Sequence, residues 1–379
     1  MHVVYLCNEY PPSKGGGVGT FTRNLGRELV KCGHQVTVIG YYRVEAEAVE
    51  QDEGVRVIRF PALYVPGINP FLNAPRLRSR LTRLHQGSPI DILEGPELSQ
   101  WGMNRAVPGK KVIRMHGGHH FFSVTLGRKP RWLRGWIEKT SFRNADALCA
   151  VSNYVAEVTR RELRLGSRPV ALLSNPVNTR QFSPQAGIAE EPGRIFFAGT
   201  LCEKKGIRQL VEAMPLICAA VPHAQLFVAG KDSIDSGTRQ SYQGRLMAAI
   251  SPELRERIHF LGIIPNANLP DYIARAQVCV YPSHMEAMPL TWLEGMSMGK
   301  CVVASQTGPG PEVIHDGIDG LLCDPHNPQS IASQVVRALQ DAELRARLGA
   351  AARKKVEEQF STEVMVQRNI TFYQDCLEH

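Results

Sequence analysis

The chain has 379 residues, enough for two domains with separate cores, and its 43% hydrophobic and 21% charged residues are typical of a globular protein. No apolar run approaches the ~18 residues that a membrane-spanning helix requires, and the start MHVVYLCNEYPP lacks the features of a signal peptide. The nine cysteines are scattered without a C-x-x-C pair, which argues against a disulfide framework or a zinc site. We therefore expect a cytoplasmic protein with reduced, buried thiols.

The net charge of +8 is unevenly distributed along the chain. Residues 1–178 contain 25 basic and 14 acidic side chains, and the remainder contains 19 and 22. An excess confined to one half indicates an acidic partner for that half, such as anionic lipid or a phosphorylated acceptor. Nucleic acid is the weaker alternative, because the sequence contains no recognised nucleic-acid-binding motif.

The N-terminal half begins with a predicted strand at 3–7, a glycine-rich loop, a helix near 20–32 and a second strand at 35–39. Phe21, Leu25 and Leu29 recur every four residues, which predicts one apolar helical face, and Gly33 follows as a stop signal. Three more short apolar runs, each followed by a polar break, predict further strands: DILEG, KVIRMHG and DALCAVS.

The C-terminal half repeats this pattern after a segment, 174–193, that is rich in Pro, Ser, Asn and Gly. Its predicted strands lie at 194–199, 224–230, 257–262, 277–283 and 300–305, with helices near 206–220 and 268–276. Alternation of strand and helix in both halves predicts an α/β protein with two parallel, helix-covered sheets. We divide the chain into 1–178, 179–360 and a C-terminal helix at 361–379. In such sheets ligands bind beyond the carboxyl ends of the strands, so we expect a site in the crevice between the domains.

Two glutamates in the stretch HMEAMPLTWLEG, 284–295, are eight positions apart in a mostly apolar segment. Pro289 is tolerated at the start of a helix and not in its middle, which predicts Glu286 in a loop and Glu294 in the second helical turn. The N–H groups of the helix start between them form an anion site. Two carboxylates beside an anion site indicate a ligand whose hydroxyls flank a phosphate.

Four other motifs follow predicted strands, and each also has a structural interpretation. SKGGGVGT, 13–20, could hold an anion or be a simple turn, and it fits neither a Walker loop nor G-x-G-x-x-G. RMHGGHH places His116 at a strand end, where a lone histidine is more often structural than catalytic. FAGTLCEKKGI places Lys204 and Lys205 where a phosphate could dock, although loop lysines are usually solvated. GPGPEVIHDGIDGLL, 308–322, by itself indicates only a loop.

The order of these motifs resembles the family 4 retaining glycosyltransferases, over nearly the whole chain. The most specific part is EAMPLTWLE with the following GMSMGKCVVAS, which is similar to the E-x7-E region of that family. The resemblance implies the GT-B architecture, in which two Rossmann-like parallel-sheet domains face each other across a nucleotide-sugar site. It also implies that the last helix returns to the first domain.

The resemblance further implies roles for individual residues. Glu294 would hold the ribose hydroxyls, and Glu286 with the N–H groups of Ala287 and Met288 would hold the donor sugar. His116 would lie beside the reacting carbon, and Lys205 would neutralise the diphosphate. The remaining implied donor contacts are the helix-start N–H groups of Leu290 and Thr291, the close approach of Gly16 and Gly17, and the base contacts of Ile263 and Ile264. Thr200 stands where the family usually has an arginine, so one diphosphate cation is missing, and Pro289 replaces a glycine.

The predicted function is transfer of a hexose, glucose as first guess, from a UDP-sugar with retained configuration. The acceptor would be a saccharide or lipid-linked saccharide in polysaccharide assembly. No cofactor or metal is expected, since the sequence contains no D-x-D. A nucleotide-sugar epimerase, a sugar-phosphate synthase and an inactive nucleotide-sugar-binding protein remain alternatives. Basic residues around Trp132 and Trp136 predict contact with an anionic membrane at the inner face of the cell membrane, unless these tryptophans belong to the core.

Overall fold

The computed structural model describes residues 1–13, 16–65, 68–104, 106–234 and 239–378. The chain divides into two compact units. The N-terminal unit comprises Met1–Pro176 together with Met365–His379, and the C-terminal unit comprises Val177–Val364. No helix among the described residues combines the length and the apolar character needed to cross a bilayer.

The N-terminal unit is built on one eight-stranded sheet. Its strands are β1 (His2–Leu6), β2 (Gln35–Tyr42), β3 (Ala48–Asp52), β4 (Val55–Pro61), β5 (Ile92–Gly95), β6 (Lys110–Met115), β7 (Ala147–Ala150) and β8 (Ala171–Leu172). Their order in the sheet is β3-β4-β2-β1-β5-β6-β7-β8. All neighbours pair in parallel except β3 and β4, which form an antiparallel hairpin at the edge. Both turn residues of this hairpin, Glu53 and Gly54, have positive φ, which suits a tight two-residue connection that the sequence analysis did not identify.

Helices cover the sheet of the N-terminal unit, and the first confirms the predicted apolar face. The helices are α1 (Gly17–Lys31), α2 (Asn69–Gly87), α3 (His119–Thr125), α4 (Trp132–Asn144) and α5 (Asn153–Leu163). Phe21, Leu25 and Leu29 of α1 are buried in the core with residues of β1 and β2. Gly33, with φ of 83°, follows the end of this helix, and its N–H donates to the carbonyl of Val30.

The C-terminal unit contains a six-stranded, fully parallel sheet. Its strands are β9 (Arg194–Ala198), β10 (Gln225–Ala229), β11 (Ile258–Gly262), β12 (Val278–Tyr281), β13 (Cys301–Ser305) and β14 (Leu321–Cys323), in the order β11-β10-β9-β12-β13-β14. Its helices are α6 (Ile207–Ala220), α7 (Tyr242–Ala248), α8 (Pro252–Arg255), α9 (Leu269–Arg275), α10 (Leu290–Ser297), α11 (Gly310–Val313), α12 (Pro328–Gln340) and α13 (Ala342–Gln359). Every residue of β9, β12 and β13 is buried, as expected for parallel strands covered on both faces.

The last helix, α14 (Thr362–Glu378), is held in the N-terminal unit by a buried polar network. Arg114 on β6 donates from Nε to Glu94 on β5 at 2.7 Å and from a terminal nitrogen to Asn369 of α14 at 2.5 Å. The Tyr373 hydroxyl donates to the same Glu94 carboxylate at 2.8 Å. Because all four side chains are buried, each charge depends on these partners, and the network fixes α14 against β5 and β6.

In both sheets the order of the strands reverses next to the first strand, and we call this position the switch point of the sheet. In the N-terminal unit the chain builds outward from β1 and then crosses to β5 on its other side, and in the C-terminal unit it does the same from β9 to β12. Loops that leave the carboxyl ends of two such strands diverge to opposite faces and open a crevice, where α/β proteins bind ligands. The site residues predicted from the sequence are therefore expected at these two switch points.

All nine cysteines are free thiols. Five are buried, three are partly buried, and Cys32 is exposed just after α1, so the expectation of buried thiols holds only in part.

Candidate functional site

The switch point between β9 and β12 brings together Lys205 and Glu286, which are 81 positions apart in sequence. Lys205 ends a short 3-10 turn, Glu203–Lys205, after β9, and Glu286 lies in the loop between β12 and α10. The Lys205 Nζ donates directly to the Glu286 Oε1. Their side chains are 22% and 13% exposed, so this ion pair is shielded without being sealed from solvent.

A glycine locks these two loops against each other. Gly206 has φ of 69°, and a Cβ at this position would lie 1.8 Å from the carbonyl oxygen of Pro282. The His284 N–H donates to the Lys204 carbonyl at 2.9 Å, which adds a second backbone contact between the loops. The lysine loop and the glutamate loop are therefore one packed assembly, and only glycine fits at its centre.

Helix α10 confirms the predicted placement of the two glutamates. It begins at Leu290, with Pro289 immediately before it as the N-cap, so Glu286 is in the loop and Glu294 is in the second turn. The first turn contains no acidic residue, and no side chain caps it. The N–H groups of Leu290 and Thr291 have no acceptor within the helix, which makes this start suited to an anion. Ala287 and Met288 lie between Glu286 and the helix, the first partly exposed and the second buried.

Glu294 is a buried carboxyl group, only 9% exposed. Among the described residues none donates a hydrogen bond to its side chain, and burial raises its pKa to about 7. Buried polar groups in folded proteins normally have partners, and an unfilled one needs an explanation. A carboxylate with free acceptor positions is suited to a ligand that supplies hydroxyl donors.

The other predicted donor contacts of the C-terminal unit lie on the same edge of its sheet. Thr200 is exposed directly after β9, while Ile263 (72% exposed) and the partly exposed Ile264 follow β11. Arg208, in the first turn of α6, is bound to Glu203 and Glu212.

At the other switch point, the glycine loop is occupied by a carboxylate of the protein itself. Gly16 is the N-cap of α1 and Gly17 is its first residue. Glu9 accepts hydrogen bonds from the N–H groups of Gly16 at 3.0 Å and Gly19 at 3.2 Å. A carboxylate at a helix start is favourable for the reason that a phosphate would be. The sequence analysis missed Glu9, and Lys14 and Gly15 of this loop lie outside the described residues.

His116 follows β6 directly, at the carboxyl edge of the N-terminal sheet. Its ring is partly exposed and packs edge-to-face against Phe21, with 4.9 Å between ring centroids. Burial, with a contribution from the Arg114 cation, lowers the pKa of His116 far below its ordinary value. The imidazole is therefore neutral near pH 7 and can donate one hydrogen bond from one ring nitrogen and accept one at the other.

Two further carboxyl groups near His116 were not identified from the sequence. Glu97, after β5, is 3% exposed, and its Oε1 has no partner among the described residues. Burial is the main cause that raises its pKa to about 8, and nearby Glu138 adds to the effect. Glu138 on α4 is fully buried and accepts from the N–H groups of His119 at 2.8 Å and His120 at 2.9 Å. An acidic residue at the end of a predicted strand was the available signal for Glu97.

The described residues contain no group of three or more His, Cys, Asp or Glu side chains that could hold a metal ion. The charges at the β9/β12 switch point are instead a lysine, a glutamate and a helix start. This combination can bind a diphosphate and hydroxyl groups side by side.

Known protein families match both halves of the chain. The model of Glycosyltransferase Family 4 matches residues 15–181, and that of Glycosyl transferases group 1 matches residues 178–355. The GDP-mannose-dependent monoacylated alpha-(1-6)-phosphatidylinositol monomannoside mannosyltransferase of Corynebacterium glutamicum is 22% identical, over 96% of this chain and 95% of its own.

Solved structures share the whole fold. Sucrose-phosphate synthase from Thermosynechococcus elongatus superposes with a TM-score of 0.82 and 23% identity, covering 99% of this chain and 98% of that one. HepE of Anabaena, solved in complex with UDP, superposes with a TM-score of 0.77 and 16% identity. The match covers 99% of this chain and 100% of that one. The predicted GT-B fold is confirmed by these likenesses. Since the two family models together span residues 15–355, the chain belongs to the group 1, family 4 glycosyltransferases.

Proposed function

We propose that this glycosyltransferase moves a hexose, in the first instance glucose, from a UDP-sugar to a saccharide or lipid-linked saccharide during polysaccharide synthesis in the cytoplasm. The proposal includes retention of configuration at the transferred carbon and no requirement for a metal ion. The observation that carries it is the grouping of Lys205, Glu286 and the start of α10 at the β9/β12 switch point.

Each of these groups has a role in holding the donor. The diphosphate accepts hydrogen bonds from the N–H groups at the start of α10 and meets the Lys205 ammonium group. Glu294 accepts the ribose hydroxyls, and Glu286 accepts hydroxyls of the hexose. Glu286 and Lys205 also bind each other directly. Donor binding therefore has to replace one ion pair by a lysine–diphosphate pair and a set of hydroxyl–carboxylate hydrogen bonds.

The reaction breaks the bond between the sugar carbon and the diphosphate oxygen and forms a bond to the acceptor oxygen on the same face. The acceptor hydroxyl proton passes to the departing diphosphate oxygen. Negative charge grows on that diphosphate as the bond breaks, so Lys205 and the helix start stabilise the transition state more than the bound donor. His116, neutral near pH 7, is proposed to lie beside the sugar as a hydrogen-bonding group and not as a cation.

UDP-glucose is proposed as the donor mainly from its frequency in the family. A solved relative of the same fold, HepE, binds UDP. The mannosyltransferase relative uses GDP-mannose by its name, so GDP-sugars are the competing donor class. Ile263, exposed after β11, is the proposed contact for the base.

A thermal-shift screen of nucleotides and nucleotide sugars tests this proposal, because a ligand that binds only the folded protein raises its melting temperature. We expect UDP and UDP-glucose to stabilise the native protein and the Glu286→Ala variant, and to lose this effect in Glu294→Ala. Activity should survive EDTA if the reaction requires no metal. Equal stabilisation of all three proteins, or none by any nucleotide sugar, would contradict the assignment of the site.

A further inference from the structure

A cluster of exposed aromatic side chains lies on the N-terminal unit. Trp132 and Trp136, one turn apart on α4, are 81% and 43% exposed, and Phe71 of α2 is 42% exposed. The rings of Phe71, Trp136 and Trp101, which lies in the loop after β5, form one patch, since the centroids of Phe71 and Trp101 lie 4.9 Å apart and those of Trp101 and Trp136 lie 6.1 Å apart. These tryptophans are therefore not part of the core, which was the alternative left open by the sequence.

The exposed charged groups of the segment 127–144, which contains Trp132 and Trp136, have a single sign. Glu138 is the one acidic residue between positions 127 and 144, and it is buried against the backbone of His119 and His120. The exposed basic residues of the segment have no ion-pair partner within the described part of the chain. They are Arg128, Lys129, Arg131, Arg134, Lys139 and Arg143.

Two basic residues of α2, Arg76 and Arg80, differ in this respect. Arg80 is paired with Glu47, and Arg76 donates to the carbonyl of Pro61 at 2.8 Å. Both guanidinium groups also lie over the ring of Phe60. Arg76 and Arg80 therefore stabilise the fold locally, whereas the basic side chains of 128–139 have no ion pair among the described residues and lie beside the tryptophans of α4.

We infer that the face formed by Trp132, Trp136, Phe71 and the basic residues of 128–139 binds the surface of an anionic lipid bilayer. Indole rings favour the boundary between headgroups and acyl chains, and lysine and arginine bind anionic headgroups. The exposed apolar area, which includes Leu126 at 41%, favours a lipid over a nucleic acid, since a nucleic acid offers no apolar phase to receive it.

This face is connected to the loop of His116, the residue that is proposed to lie beside the transferred sugar. Glu138 of α4 accepts from the N–H groups of His119 and His120, the first residues of α3, which follow the loop that begins with His116. Gly118 in the same loop has no room for a side chain, because a Cβ would lie 1.9 Å from the Glu138 carboxylate. A bilayer bound at α4 therefore meets a helix that is fixed to the His116 loop. The acceptor would then be a lipid-linked saccharide in the same bilayer, and this part of the inference rests on the proposed function.

Vesicle flotation of the full-length protein tests the lipid contact without any substrate. Phosphatidylglycerol-containing vesicles are compared with pure phosphatidylcholine vesicles, at low and at high salt. We expect flotation with the anionic vesicles only, and its loss at high salt. Arg128→Ser with Lys129→Ser should weaken partitioning about thirtyfold, at roughly 1 kcal/mol per basic residue, and Trp132→Ser should weaken it about tenfold or more.

The matched controls are Lys354→Ser and Ile318→Ser in the C-terminal unit, whose side chains are 75% and about 60% exposed. Both should float like the native protein. Equal flotation with neutral and anionic vesicles, or equal losses in controls and face variants, would overturn the inference. So would a Trp132→Ser variant that floats normally but binds a soluble oligosaccharide more weakly, since that result identifies a saccharide platform. If no nucleotide or nucleotide sugar stabilises the native protein in the thermal-shift screen, the proposed function is refuted, while flotation with anionic vesicles would still support the lipid contact.

Discussion

Replacing Glu294 by glutamine is predicted to stabilise the unliganded protein at alkaline pH while weakening nucleotide binding. Glu294 is buried without a hydrogen-bond donor among the described residues, and its pKa is about 7 instead of the ordinary 4.5. Between these two pH values the folded protein holds a proton that the unfolded chain has released. Stability is therefore greatest below pH 4.5, falls as the pH rises toward 7, and stays reduced above it.

The size of the effect follows from the two pKa values. Each pH unit between them corresponds to about 1.4 kcal/mol, and integration between about pH 5 and pH 8 gives a loss of roughly 2.5 kcal/mol. Glutamine has nearly the same shape and does not ionise. The difference in unfolding free energy between Glu294→Gln and the native protein should therefore move by about 2.5 kcal/mol in favour of the variant over this range.

Urea unfolding at the two pH values measures this difference directly. Comparing the same pair of proteins at both pH values cancels any constant cost of the amide group. Glu256→Gln is the matched control, since this exposed glutamate of the same unit should leave the pH dependence unchanged. If native protein and Glu294→Gln lose stability in parallel from pH 5 to pH 8, the buried carboxyl does not titrate as reasoned here.

Three other predictions concern the remaining site residues. Lys205→Ala should lower kcat about a hundredfold, because it removes one electrostatic partner of the transition state. Lys204→Ala should have only a mild effect on kcat, since the Lys204 side chain is exposed. Steady-state kinetics that show the reverse would mean that the wrong lysine was assigned. Glu286→Gln should lower turnover but leave UDP affinity equal or higher, because it releases Lys205 from its ion pair, and a calorimetric titration in which UDP binding weakens would contradict this. His116→Ala should abolish transfer and change stability by less than about 1 kcal/mol, since its ring has one aromatic contact, and a large fall in melting temperature would make it structural.

Local signals in the sequence were sufficient for the strand ends and for α10. Pro289 determines where α10 can begin, and this places Glu286 in the loop and Glu294 in the second turn. The strands of the C-terminal unit are short apolar runs bounded by glycine or polar residues, so their positions follow from composition alone. The predicted positions of both glutamates relative to α10 were correct for that reason.

Contacts between distant segments were not predictable in the same way. Nothing near Lys205 indicates that it binds Glu286, because that pairing depends on the order of β9 and β12 in the sheet. Glu9 resembles any loop carboxylate until the backbone turns the N–H groups of Gly16 and Gly19 toward it. Glu97 likewise becomes distinctive only when Gly118 and Glu138 lie beside it and it is buried.

The most direct test of the central claim is an NMR time course of donor hydrolysis, which requires no knowledge of the acceptor. Purified protein is incubated with UDP-glucose, and the anomer of the glucose released first is recorded before mutarotation equilibrates it. A retaining transferase with the proposed site predicts α-glucose as the first product, and no release above background by Lys205→Ala. β-Glucose as the first product, or native activity in Lys205→Ala, would contradict the account.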